Sequence, residues 1–222
     1  MLSRFRLHKA VGAVLAICLA MFIAASPILA ANEDSFLEAV CNGHRDIVTL
    51  FLDQGVDVNA AAPNGVSALM CASAYGHLEM VQLLLSRGAR VSDLDGTRES
   101  ALLKAACKGF LDITAVLIEK GGDPNAPNEQ GITPLMCASF HGHTPVVRLL
   151  LEKGAEVNAT DSTAETALIK AACKGRLETA QVLLAAGADP SSQTKNGVSA
   201  MRCASANGHI EVVKLLIAPS SR

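Results

Sequence analysis

The chain has 222 residues, half of them hydrophobic, with no Trp, one Tyr and six Phe, and a formal net charge of −2. Its core must therefore be built from Leu, Val, Ile and Ala, and a surface of this sign excludes a chain that holds nucleic acid by its overall charge. The length would suit one or two globular domains, but an internal period replaces that expectation with a single elongated array.

Residues 1–31 differ from everything that follows. Arg4, Arg6 and Lys9 precede an uncharged apolar run over residues 10–25, which ends at Ser26-Pro27 and Ile28-Leu29-Ala30-Ala31. This pattern predicts a secretory signal, cut after Ala30 or Ala31, with residues 32–222 as the mature domain. The alternative is an uncleaved anchor, since the run approaches the roughly 20 residues that span a bilayer. In both cases the positive end stays inside and the following residues are exported, to the periplasm if the host is Gram-negative. Removing the segment takes three basic residues and no acidic one, so the mature domain is more acidic than the whole chain.

Beyond it, Ser35 and Glu38 have capping-box spacing and predict a helix start at Ser35. Then a text of 33 residues returns. Gly43, Gly76, Gly109, Gly142, Gly175 and Gly208 keep that step, as do Gly55, Gly88, Gly121, Gly154 and Gly187. A period in this range marks units too small to bury their own apolar face, which must stack on neighbours. The boundaries fall at about 34–60, 63–93, 96–126, 128–159, 161–192 and 194–218, giving six repeats. Within one unit Leu69, Ala72, Ser73 and Gly76 follow i, i+3, i+4, i+7, and Val81, Leu84 and Leu85 form a second stripe; both predict short helices with one buried face. Thr144-Pro145 suits a helix start, and Gly88 or Gly154 a left-handed stop.

Gly131-Ile132-Thr133-Pro134-Leu135, Ala138 to His143, Val146 to Leu151 and Gly154 to Ala159, at this period, closely resemble the ankyrin repeat. The resemblance covers about Ser35 to Ala218. It implies an all-α repeat solenoid of helix pairs joined by β-hairpin turns, and a protein-binding role without catalysis. The sequence departs from the family where a histidine usually follows Thr-Pro-Leu: Met70, Leu103, Met136, Ile169 and Arg202 stand there, so apolar contact must replace that histidine's hydrogen bonds. His77, His143 and His209 have structural roles in the family pattern.

A longer period of 66 residues lies over the first. The second, fourth and sixth repeats share Cys-Ala-Ser text, as in Cys71-Ala72-Ser73, whereas the third and fifth carry Lys104-Ala105-Ala106-Cys107-Lys108 and Lys170-Ala171-Ala172-Cys173-Lys174. In a helix, 104 and 108 share a face, as do 170 and 174. By the family pattern that face lines the concave groove. Lys104, Lys108, Lys170 and Lys174, with Tyr75, His141 and Asn207, are therefore the candidate contacts for a partner protein bearing an acidic segment.

Cys41, Cys107 and Cys173 form one column and Cys71, Cys137 and Cys203 another. Layers about 8–10 Å apart exceed the roughly 7 Å limit for a bridge, so the expectation is mostly unpaired thiols acting as small apolar fillers, with Cys71, Cys137 and Cys203 the more exposed. A thiol- or metal-handling role using these columns and His141 is the alternative function. Asn158-Ala159-Thr160 is a glycosylation sequon. No motif for metal hydrolysis, phosphate binding or acyl transfer is present, so no enzyme activity and no cofactor are expected. The sixth repeat carries Val212, Val213, Leu215, Leu216 and Ile217 without a polar outer face, which predicts self-association there.

Overall fold

The computed structural model describes residues 32–217, so the signal or anchor reading of residues 1–31 lies outside the described residues. Twelve helices run in pairs: α1 (32–41) with α2 (Arg45–Asp53), α3 (Ala68–Tyr75) with α4 (Leu78–Ser86), α5 (Ala101–Lys108) with α6 (Leu111–Glu119), α7 (Pro134–His141) with α8 (Thr144–Glu152), α9 (Ala167–Cys173) with α10 (Leu177–Ala185), and α11 (Ala200–Ala206) with α12 (Ile210–Ile217). Odd-numbered helices stack on one another as an inner layer and even-numbered ones as an outer layer. Among the described residues this is an all-α repeat solenoid with no extended strand; the turn segments contribute isolated antiparallel bridges at Ala61–Ser67, Leu94–Ser100 and Gln193–Ser199. No described helix is long and apolar enough to cross a membrane.

Local sequence explains each start and stop. The side chains of Ser67, Ser100, Thr133, Thr166 and Ser199 accept from the backbone N–H three residues on, capping every inner helix from α3 to α11. Met70 adds a bond at the position where a histidine was missing: its Sδ accepts from Ser67 N at 3.4 Å. Met136, Leu103 and Ile169 there are buried apolar residues. The start predicted at Ser35 is displaced, because residues 32–34 are already helical; Glu33 and Asp34 favour a first helical turn through the helix dipole, and one hydroxyl cap does not outweigh a turn of helix.

Burial follows the period. Leu69, Leu102, Leu135 and Leu168 are each 1% exposed, and Ala72, Ala105, Ala138 and Ala171 are fully buried beneath them. These alanines let inner helices approach closely. Turn tips are joined by backbone bonds, Gly96 N to Asn64 O, Glu129 N to Thr97 O, Ser162 N to Gln130 O and Lys195 N to Thr163 O. Asn158 bridges neighbouring units as well, accepting from Asp189 N and donating to Gly187 O. Its amide is thus an internal strut, which argues against the sequon as a glycan site.

The cysteines depart from expectation. Cys41 is bonded to Cys71, Cys107 to Cys137 and Cys173 to Cys203, with Cα–Cα separations of 5.3, 5.0 and 4.9 Å. Interaxial spacing is the wrong measure here. Two cylinders of Cα radius about 2.3 Å with axes 8–10 Å apart bring facing Cα atoms to about 3.5–5.5 Å. Paired cysteines are 30 residues apart rather than 33, and those three residues, nearly one turn, rotate the two Cβ atoms toward each other. Cys71, expected among the more exposed, is buried.

Candidate protein-binding groove

Inner helices end on one rim. Tyr75, Lys108 and His141 are the final residues of α3, α5 and α7, while Lys174 and Asn207 follow α9 and α11, so one side chain per repeat stands in a row, and all five are exposed. Lysine and histidine suit this place because a helix C-terminus favours positive charge. Tyr75 is 64% exposed and stacks on His77 at 6.3 Å between ring centroids. Near it a hollow of about 680 Å³ lies over the first disulfide, bounded by Cys41, Met70, Cys71, Tyr75, Lys108 and Phe110.

The middle of the row is basic. Lys174 Nζ sits 4.7 Å from the centre of the Phe140 ring, whose edge meets His141 at 5.1 Å, and His141 stacks on His143 at 5.7 Å. Burial lowers the His141 pKa first, and the nearby charges of His143, Arg176, Lys108 and Lys174 lower it further. Lys108, Lys174 and Arg176 thus gather near His141 in a protein whose net charge is negative. Asn207 turns back on its own helix, donating from Nδ2 to Cys203 O at 2.9 Å.

Lys104 and Lys170 do not join the row. Lys104 Nζ lies 2.7 Å from both Asp95 Oδ2 and Glu99 Oε2; Lys170 Nζ lies 2.6 Å from Asp161 Oδ2 and 2.7 Å from Glu165 Oε2. Their side chains are only 15% and 10% exposed. Asp95 Oδ1 also accepts from Thr97 N, Thr97 Oγ1 and Glu99 N, and Asp161 Oδ1 from Thr163 N, Thr163 Oγ1 and Glu165 N. Burial raises the carboxyl pKa, but the lysine and these donors outweigh it, bringing Asp95 down to about 2 and lowering Asp161. Burial lowers the two lysines, and their paired carboxylates raise them on balance. These lysines serve as internal braces, which the i, i+4 spacing did not indicate, and Lys104 also borders the hollow beside Tyr75 and Lys108.

The braces occur where the turn needs them. Arg98 and Ala164 have φ of 61° and 62°, a left-handed conformation occupied by Gly65, Gly131 and Gly197 in the other repeats. A side chain there costs about 1–2 kcal/mol, and the Asp-x-Thr-x-Glu segment fixed by lysine holds it. That segment, repeated at 95–99 and 161–165 with lysine at 104 and 170, was the available signal.

His77, His143 and His209 place Nε2 at 3.0–3.1 Å from the carbonyls of Cys41, Cys107 and Cys173, confirming a structural role. With all six cysteines of the described residues bonded to one another, a thiol or thiolate site with His141 is overturned: a disulfide sulfur is neither nucleophile nor thiolate ligand. Among the described residues no group of three His, Cys, Asp or Glu is placed to hold a metal.

A comparison with curated proteins finds no match. A family model described as ankyrin repeats in three copies matches residues 30–95 and 90–161, and one described as ankyrin repeats in many copies matches 168–217. With stacked helix pairs at a 33-residue step and hydrogen-bonded turn tips across the same span, the chain belongs to the ankyrin repeat family.

Proposed function

We propose that this protein is an exported scaffold that binds another protein through its concave groove and turn tips, taking an acidic segment of that partner against the basic middle of the row, and that it catalyses no reaction. Ankyrin repeats generally mediate binding to other proteins and are typically not enzymes. The observation that carries the finer reading is the convergence of Lys108, Lys174 and Arg176 on His141 in an otherwise acidic molecule. Complementary charge gives such a groove its partner preference and its association rate.

Export is supported by two independent features: the basic and apolar composition of residues 1–31, and three disulfides, a bond that persists in oxidising compartments. In a Gram-negative host the compartment is the periplasm. A membrane partner enters only if residues 1–31 remain as an anchor.

The test is a pull-down from a native extract of the protein's own compartment, comparing wild type with Lys108→Glu/Lys174→Glu. Lys104 and Lys170 are left in place, since a glutamate beside Asp95 or Asp161 would unfold the turn. A partner held at low salt, weakened at high salt and lost by the double variant is the expected result. An unchanged set of captured proteins at equal helicity would remove the groove from the reading.

A further inference from the structure

We propose that copies of this chain associate head to tail, the exposed face of the sixth helix pair of one copy receiving the exposed face of the first pair of the next. Each repeat has a forward face, covered by the following unit, and a backward face, covering the preceding one. Met201 is 43% exposed whereas its equivalents Leu69, Leu102, Leu135 and Leu168 are 1% exposed, and Ile217 of the same repeat is 64% exposed. At the opposite end Ile47 is 46% exposed whereas its equivalents Met80, Ile113 and Val146 are 1–2% exposed. The two surfaces are thus halves of the contact that recurs through the array.

A specific pocket and its filler are both unmatched. A Cβ at Gly43, Gly76, Gly109, Gly142 or Gly175 would strike His77, Phe110, His143, Arg176 or His209 of the next repeat, because each such glycine seats that side chain. Gly208 meets nothing within 4 Å among the described residues. Its missing filler is the residue equivalent to those five, and the first repeat presents one: His44, exposed beside Gly43. Where the filler is histidine its Nε2 meets the carbonyl two residues before the glycine; for His44 of a second copy that carbonyl is Ala206.

Phase and charge agree. Repeats alternate in type. The first shares the Cys41 column with the third and fifth, though Glu38 and Asn42 replace their lysines, while the sixth is of the Cys-Ala-Ser class. Sixth onto first thus repeats the cysteine order already present between second and third and between fourth and fifth. At the latter junction Arg148 faces Glu178 at 3.9 Å. The equivalent residues across the proposed contact are Lys214, which pairs with Glu211 of its own helix at 2.8 Å, and Asp46, again of opposite sign. Arg202 in the sixth repeat and Glu38 in the first are both exposed and of opposite sign. A contact between two different faces propagates into chains or closes into rings, unlike a symmetric dimer.

Protein prepared from the full 222-residue chain is run in sedimentation velocity from low micromolar to near-millimolar concentration, with Ile47→Glu and Ile217→Glu alongside. Both residues are exposed, and far-UV circular dichroism checks that helicity is kept. Wild type is expected to rise past the dimer mass. Each variant is expected to weaken by about tenfold or more in apparent Kd, while an equal mixture of the two recovers a heterodimer through the one intact pair of faces. A wild type that stays monomeric, a C-terminal variant that alone abolishes association while Ile47→Glu leaves it unchanged, or a mixture that fails to pair would overturn the proposal.

Discussion

Two kinds of junction alternate along this array. Within a pair, first to second, third to fourth and fifth to sixth, a disulfide joins the inner helices and a histidine seals the carbonyl of one of the bonded cysteines. At the seams between pairs the same positions hold noncovalent devices: Phe110 against Gly76, Arg176 Nε on Phe140 O at 3.3 Å, Lys174 over the Phe140 ring, and a buried hydroxyl pair, Thr144 and Thr179, at 2.9 Å. Identical helix pairs can therefore be stacked by unlike means. If bridges set the cooperative unit, it is the 66-residue pair, and stability is unevenly distributed along a fold that looks uniform.

Reduction should break this contrast most strongly. Closing a 30-residue separation removes about 3–4 kcal/mol of unfolded-state entropy per bridge in the chain-entropy model. Urea melts with reductant are expected to show a much lower midpoint and a broadened transition, and an unchanged midpoint would erase the distinction between pairs and seams. Next comes the brace inside the odd repeats. Lys170→Met leaves Asp161 buried without its cation and should cost about 3 kcal/mol, whereas Lys174→Met, losing only a ring contact, should cost less than about 1 kcal/mol.

The same braces set the pH range. Asp95 is held at about 2 in the folded state against 3.8 ordinarily, and Asp161 is also lowered, so their stabilisation is present above 3.8 and fades as pH falls from there toward 2. Lys104 and Lys170 are raised above 10.5, so theirs is complete below that value and fades as pH climbs past it. Melts against pH should give a plateau with both shoulders, and Lys104→Met/Lys170→Met should flatten the alkaline one. At the seam, Thr179→Val strands the Thr144 hydroxyl and should cost about 1–2 kcal/mol, with Thr144→Val/Thr179→Val less damaging than the single change; additive losses would show that the pair is not coupled. The smallest effect has the opposite sign. Ser139 Oγ is buried without a partner, and the corresponding residues in the third and fifth repeats are Ala106 and Ala172. Ser139→Ala should be neutral or stabilising by up to about 1 kcal/mol in a thermal melt.

Period and capping residues made the architecture legible, because a 33-residue step with glycine stops admits little besides stacked helix pairs. The groove was legible in part. Lys108, Lys174, His141 and Tyr75 stand exposed where their spacing indicated, since the last turn of each inner helix has no neighbour on that side. Lys104 and Lys170 were misread because helical spacing identifies a face but not what reaches it: Asp95 and Asp161 come from the preceding turn. The disulfides were missed for a similar reason, distance between helix axes standing in for distance between the atoms that bond.

Those bridges also decide how the array gives way under tension. With each cysteine pair joined, the 30-residue separation it encloses is withheld from the extended length, about 100 Å of contour per bridge. A molecule pulled from its ends would give way first in the two unbridged stretches, Cys71 to Cys107 and Cys137 to Cys173, and then stiffen. Full extension would require thiol exchange at the sulfurs. Under load the protein would then behave as three bridged links whose full extension depends on the redox poise of its surroundings.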